Sequence, residues 1–216
     1  MLDRILGPRV PADLSADQLK GYRLPTMLFS GAALLLIISI LLPYWRLDLW
    51  APQFPGGLVV EAFVNRLQGD VAELEGLNHY VGLASFEDGA VFERSVAIFG
   101  ILGLAGLLAA GLFVHSRWVL ALTMPALLFP IIFIVDLQWW LWKFGHNLDP
   151  RAPFASAVGE FTPPIFGTAE IAQFDTTALP GPGLILAVIA SVMIGFGLWH
   201  HRKAYKPLIE ARESAE

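Results

Sequence analysis

Two histidines, His79 and His146, stand in different long polar stretches of the chain, each beside an asparagine, in Asn78-His79-Tyr80 and His146-Asn147-Leu148-Asp149. Imidazole nitrogen is a common ligand for transition metals, and two imidazoles plus one carboxylate make three ligands of a coordination set. Asp136 and Asp149 flank His146, while Asp70, Glu73 and Glu75 precede His79. If the two stretches fold together, His79, His146 and Asp149 or Asp136 would suit copper or zinc, with Asn78 and Asn147 orienting the rings. The competing reading has each His hold its own loop by hydrogen bonds to backbone or to its asparagine.

Other chemistry is sparse. The chain has no cysteine, which removes disulfides, thiolate nucleophiles and sulfur-ligated clusters. It has no phosphate-cradling glycine loop followed by Lys and Ser or Thr, no Gly-x-Ser-x-Gly elbow and no His-Glu-x-x-His, so the expectation is a non-enzyme. No basic cluster suits nucleic acid. His115 and the pair His200-His201 lie at helix ends near Arg117 and Arg202 and read as interfacial polar anchors; adjacent helical residues diverge by about 100°, which disfavours His200 and His201 as a metal-binding pair.

The elements that must position these residues follow from composition. Of 216 residues, 56% are apolar and only 15% charged, against about 25% charged in soluble domains. Uncharged runs of 22 residues separate Arg23 from Arg46 and Arg94 from Arg117, and runs of 18 and 26 follow Arg117 and Asp175. About 20 residues of helix cross a hydrocarbon layer of roughly 30 Å, and lipid offers no partner for a free backbone polar group. An all-α fold with four transmembrane helices in two hairpins follows, with the lipid bilayer as its first partner.

The boundaries read as an N-terminal tail 1–23, spans 24–42, 95–115, 118–142 and 183–200, a short turn 116–117 and a C-terminal tail 201–216. The tails and the turn hold nine of the fourteen Lys and Arg. The positive-inside rule therefore puts both termini in the cytoplasm and the long loops, 43–94 and 143–182, outside, as expected of a multi-pass membrane protein. All seven tryptophans fall near predicted span ends, as an interfacial belt should. The first apolar run lacks a small-residue cleavage site and reads as an uncleaved anchor.

Within the loops, Val60, Phe63, Val64 and Leu67 recur at i, i+3, i+4 and i+7 and predict an amphipathic helix over 58–68, with Gly69 as its stop. Ala51 to Gly57 reads as a fixed turn or extended piece. The second loop, with six prolines, reads as irregular coil with one short helix around Thr168 to Phe174. Its many aromatic residues argue against disorder. Ser15-Ala16-Asp17-Gln18 predicts a short helix ending near Gly21, and Ser85 a cap for an extension of the second span. Gly100, Gly103, Gly106 and Ala110 predict close helix packing in the second span, and Pro125 and Pro130 predict kinks in the third.

Three motif stretches stand out: Pro43-Tyr44-Trp45-Arg46 leading to Ala51-Pro52-Gln53-Phe54-Pro55-Gly56-Gly57-Leu58; Asn78-His79-Tyr80-Val81-Gly82; and Gly145-His146-Asn147-Leu148-Asp149-Pro150-Arg151-Ala152-Pro153. Together, from Leu42 to about Phe174, they resemble a family of bacterial four-helix membrane proteins often encoded near nitrous oxide reductase accessory genes. The resemblance implies an accessory or assembly role in copper-enzyme maturation. Family members often carry Tyr at the position of Phe54 and Met at that of Leu83, where a thioether would be a soft copper ligand.

Three functions stay open on these residues. One is a non-catalytic membrane accessory protein whose outer surface docks a periplasmic or membrane protein partner. Another is a metal-binding or metal-relay protein using His79 and His146. The last is a helix-contributing subunit of an electron-transfer complex.

Overall fold

The computed structural model describes residues 6–8, 10, 15–171 and 174–214, with only the backbone of 16–18, 212 and 213. In chain order the elements are α1 (Ala16–Ser39), β1 (Trp45–Ala51), β2 (Phe54–Ala62), β3 (Leu67–Gly69), α2 (Val71–Val81), a 3-10 turn (Phe86–Asp88), α3 (Val91–Gly111), α4 (Trp118–His146), α5 (Ala155–Val158), β4 (Gly167–Ile171), β5 (Phe174–Pro180) and α6 (Pro182–Glu213). Among the described residues four helices are long and apolar enough to cross a membrane, over Leu19–Ser39, Val91–Gly111, Trp118–His146 and Pro182–Ala211. The helix expected to end near Gly21 instead runs on to Ser39, because nothing between Gly21 and Ile38 supplies a stop and Pro25 is tolerated within it. α4 ends four residues beyond the predicted 142, and α6 continues well past 200.

The chain divides into two compact units. One comprises the described residues of Met1–Ile38, Phe99–Pro130 and Leu186–Glu216; the other is Ser39–Ile98 with Ile131–Ile185.

The first unit is helical. Its buried residues fall at alternating steps of four and three along each helix: Pro25, Phe29, Ala32 and Leu36 on α1, and Ala187, Ala190, Ile194, Gly197 and His201 on α6. This spacing keeps one narrow seam inward while large residues such as Leu34, Val188 and Phe196 stay exposed. Small residues set the distance: a side chain at Gly31 would meet Met193, and one at Gly197 would meet Phe29. The small stripe expected to pack on the second span does not. A Cβ on Gly100, Gly103 or Gly106 meets nothing within 4 Å, and Ala110 is exposed, because the buried face of α3 is Ile101, Ala105 and Leu108. Ser191 Oγ on α6 donates to the Leu127 carbonyl of α4 at 2.9 Å, a polar tie between two of these helices.

The second unit corrects the all-α expectation. It holds a five-stranded antiparallel sheet in the order β3-β2-β1-β5-β4, with three strands from the first loop and two from the second. β1 is central: Trp45 pairs with Ala62 on one side and Pro180 on the other, and Leu47 with Val60 and Ala178. The helix predicted over 58–68 is β2 and β3. Leu58 and Val60 are buried and Val59 and Glu61 less so, which is a period of two. The β-branched Val59 and Val60 suit a strand, and pairing with β1 decides an ambiguous local pattern. Likewise, in the stretch expected to be a helix, Thr168 to Ile171 lie in β4 and Phe174 begins β5, since Thr168 and Ala169 pair with Thr177 and Thr176.

Against one face of this sheet lies a small core of Leu49, Ala51, Leu58, Val60 and the α2 residue Leu74. Asp70 closes the join: its amide donates to the Val59 carbonyl at 2.8 Å and its Oδ2 accepts from the Val59 amide at 2.8 Å. Gly69 has φ +99°, and a side chain there would collide with the Val59 carbonyl, so it stops a strand and not a helix. Ser85 caps the 3-10 turn by accepting from the Glu87 amide, not α3 itself. Trp45 departs from the interfacial belt: it is buried, and its indole donates to the Ile165 carbonyl at 2.6 Å, 120 residues away.

Candidate functional site

The second motif forms the end of α2 and its cap. Leu74, Asn78 and Val81, at i, i+4 and i+7, are the buried face of this helix. Gly82 then ends it with φ +89°, donating to the Asn78 carbonyl at 2.8 Å. Only glycine suits this corner, since a Cβ would lie 2.8 Å from the Asp149 carbonyl. The third motif is bolted onto the same corner: the Asp149 amide donates to Gly82 O at 2.7 Å and the Phe154 amide to Tyr80 O at 3.0 Å. The two long loops therefore meet through backbone atoms.

Beside this join is an apolar cavity of about 750 Å³, within the range of small-ligand and peptide-anchor sites. The first motif contributes Gln53 and Phe54, the second Tyr80 and Val81, and the residues just after the third Phe154 and Val158. Phe174 and Leu77 complete the walls, and Gly76 and Ala157 leave them open. Tyr80 and Phe154 are 54% and 51% exposed, so aromatic surface is presented outward at the rim.

The carboxylates of the segment before the second motif have different fates. Asp70 is engaged with Val59, and Glu75 Oε1 accepts from the Phe86 amide at 2.5 Å and Ser85 Oγ at 3.2 Å. Glu73, exposed on the cavity lining, makes no hydrogen bond or ion pair among the described residues. Among the described residues no lysine or arginine lines the cavity.

The metal-ligand candidates are placed differently. His146 Nδ1 lies 3.0 Å from the Trp142 carbonyl, with the imidazole stacked on the Trp142 ring, and Asn147 Nδ2 donates to the Lys143 carbonyl at 2.7 Å. Both close the last turn of α4, whose final carbonyls have no partner within the helix. Asp149 Oδ1 accepts from the Arg151 amide at 2.9 Å, a local turn bond. His79 is exposed with its ring edge toward Tyr80, and Asp136 is half-buried on α4 with Glu93 as its charged neighbour. Among the described residues no three His, Asp or Glu converge in a way that could hold a metal ion. The residues thus do not fit copper or zinc as a set. Asn78 is buried, and its Nδ2 has no partner among the described residues.

Of the remaining motif residues, Arg46 pairs with Asp48 at 2.8 Å on the face of β1 opposite Trp45, and Pro52 sits exposed in the β1–β2 turn. The sequence reading singled out Gln53 and Tyr80 but missed Phe54, Glu73, Leu77, Phe154 and Phe174 as one wall. A partial signal existed: Glu73, Leu77 and Tyr80 recur at i, i+4 and i+7 of one helix face. No protein-family model matches this chain, and no curated protein matches it.

Proposed function

We propose that this chain is a non-catalytic membrane accessory protein that docks a partner protein on the face where its three motifs meet. The single observation that carries this reading is the shared wall: stretches from both long loops, far apart in sequence, supply one apolar cavity with half-exposed aromatic rings at its rim. Solvent-facing aromatic and apolar surface around a pocket is what anchoring side chains of a partner fill. In this reading both termini are cytoplasmic, the sheet-bearing unit faces the outside of a bacterial inner membrane, and the partner is periplasmic or membrane-bound. The motif resemblance extends it to assembly of a copper enzyme, with this chain as scaffold and not as metal carrier.

The absence of cysteine makes the topology directly testable. Ser156→Cys should react with a membrane-impermeant maleimide on intact spheroplasts, and Ser214→Cys only after permeabilisation; the reverse pattern overturns the orientation. For docking, a photoreactive benzoylphenylalanine at Phe154 should give one adduct in cells, identified by mass spectrometry. Gly76→Trp fills the cavity from a helix position where a Cβ meets nothing within 4 Å, so it should abolish the adduct without unfolding the protein. His79→Ala should leave it intact. An adduct indifferent to Gly76→Trp would sink the docking reading.

A further inference from the structure

The docking reading says where a partner binds; the charges around the cavity say what it presents. The sheet-bearing unit carries thirteen acids and five bases, a formal −8, whereas the rest of the chain has six acids and nine bases, +3. A field of one sign over a surface draws partners of the opposite sign and rejects like charge. At the cavity this bias becomes local. Asp70 Oδ2 accepts from the Val59 amide and Glu75 Oε1 from the Phe86 amide and the Ser85 hydroxyl, while Glu73, on the lining, has no hydrogen-bond or ion-pair partner among the described residues. The same lining holds the rings of Phe54, Tyr80, Phe154 and Phe174. Aromatic faces attract cations, and the long stems of Lys and Arg lie well against apolar walls while their heads reach a polar rim.

Resting on the docking reading, we infer that the cavity receives a basic side chain, Lys or Arg, carried by an apolar segment of the partner protein, with its charge set against Glu73. An acidic or uncharged anchor would leave the Glu73 carboxylate opposed or unmatched at the mouth.

The test uses the full chain in lipid nanodiscs, with empty nanodiscs as reference, and three probes of one shape: 4-phenylbutylammonium, 4-phenylbutanol and 4-phenylbutyrate. An exposed ion pair and a cation–ring contact together predict that the ammonium binds about tenfold more tightly than the alcohol, and the carboxylate most weakly. Glu73→Gln should erase the preference for the ammonium while keeping the alcohol's affinity, and Gly76→Trp should abolish all binding. Equal affinity for ammonium and alcohol, or ammonium binding unaffected by Gly76→Trp, would overturn the inference. A capped Gly-Phe-Lys-Leu-Gly peptide should bind more tightly than the ammonium and than its Lys-to-Glu counterpart. Binding no better than the ammonium would overturn the polypeptide source and leave a small amine as the ligand. In cells, a Phe154 adduct that survives Glu73→Lys but not Gly76→Trp would overturn the basic anchor and leave docking standing.

Discussion

The helical unit and the sheet-bearing unit solve the same backbone problem in opposite ways. In the helical unit each helix satisfies its own N–H and C=O groups, and packing needs a narrow seam in which small residues such as Ala32, Ala187 and Ala190 alternate with larger ones such as Phe29, Leu36 and Ile194. In the sheet-bearing unit no strand is satisfied alone: β1 needs β2 from its own loop and β5 from the other, pairing Trp45 with both Ala62 and Pro180. The first kind of structure is local and robust to sequence; the second is won only when distant segments meet.

That contrast can be broken most forcefully at the centre of the sheet. Leu47→Pro removes a ladder hydrogen bond from a strand paired on both sides and leaves its buried carbonyl partner unsatisfied, which should cost about 1–3 kcal/mol with the strain of the ring in addition. Limited proteolysis should then cut within 143–182 while far-UV circular dichroism keeps most of its helical signal; loss of both together would mean the units fold as one. In the helical unit, Ala190→Leu should cost roughly 1–3 kcal/mol by overpacking a fully buried seam, whereas Gly103→Leu, which faces open space, should not. Thermal melts in detergent compare the pair. Gly76→Ala should raise stability by about 1 kcal/mol, since the helix gains propensity and the added methyl meets nothing.

The smallest effect concerns pH. His115 lies between α3 and α4, where burial holds its imidazole below the ordinary value against the opposing pull of the Pro8 and Leu112 carbonyls. A group whose folded pKa is depressed binds fewer protons folded than unfolded, so its contribution is complete above about 6.5 and is lost as pH falls through the folded value. Melting points should therefore decline below pH 6.5, and His115→Gln should flatten that decline. A decline unchanged in the variant would remove His115 as its cause.

The same contrast explains what could be read in advance. Four apolar runs announced the spans, because hydrophobicity over about 20 residues needs no partner to be meaningful. Their inner faces were harder: Gly100, Gly103 and Gly106 carried a recognised packing pattern yet point away from the seam, which only the positions of the other helices decide. The sheet was hidden by Val60, Phe63, Val64 and Leu67, whose spacing fits a helix until β1 is placed alongside. Gln53 and Tyr80 were singled out from their motifs, but Phe154 and Phe174 join them only through the Gly82–Asp149 and Tyr80–Phe154 backbone bonds and the β4–β5 hairpin. His79 and His146 drew attention by residue type, and type alone says nothing about whether two loops bring rings together.

The pairing of Trp45 with Pro180 also sets a timetable. A ribosome working at about 5–20 residues per second needs roughly 7–27 s to extend the chain from one partner to the other. Throughout that interval the newborn first hairpin shows an unsatisfied edge to whatever surrounds it, an opening for a chaperone or for a wrong neighbour.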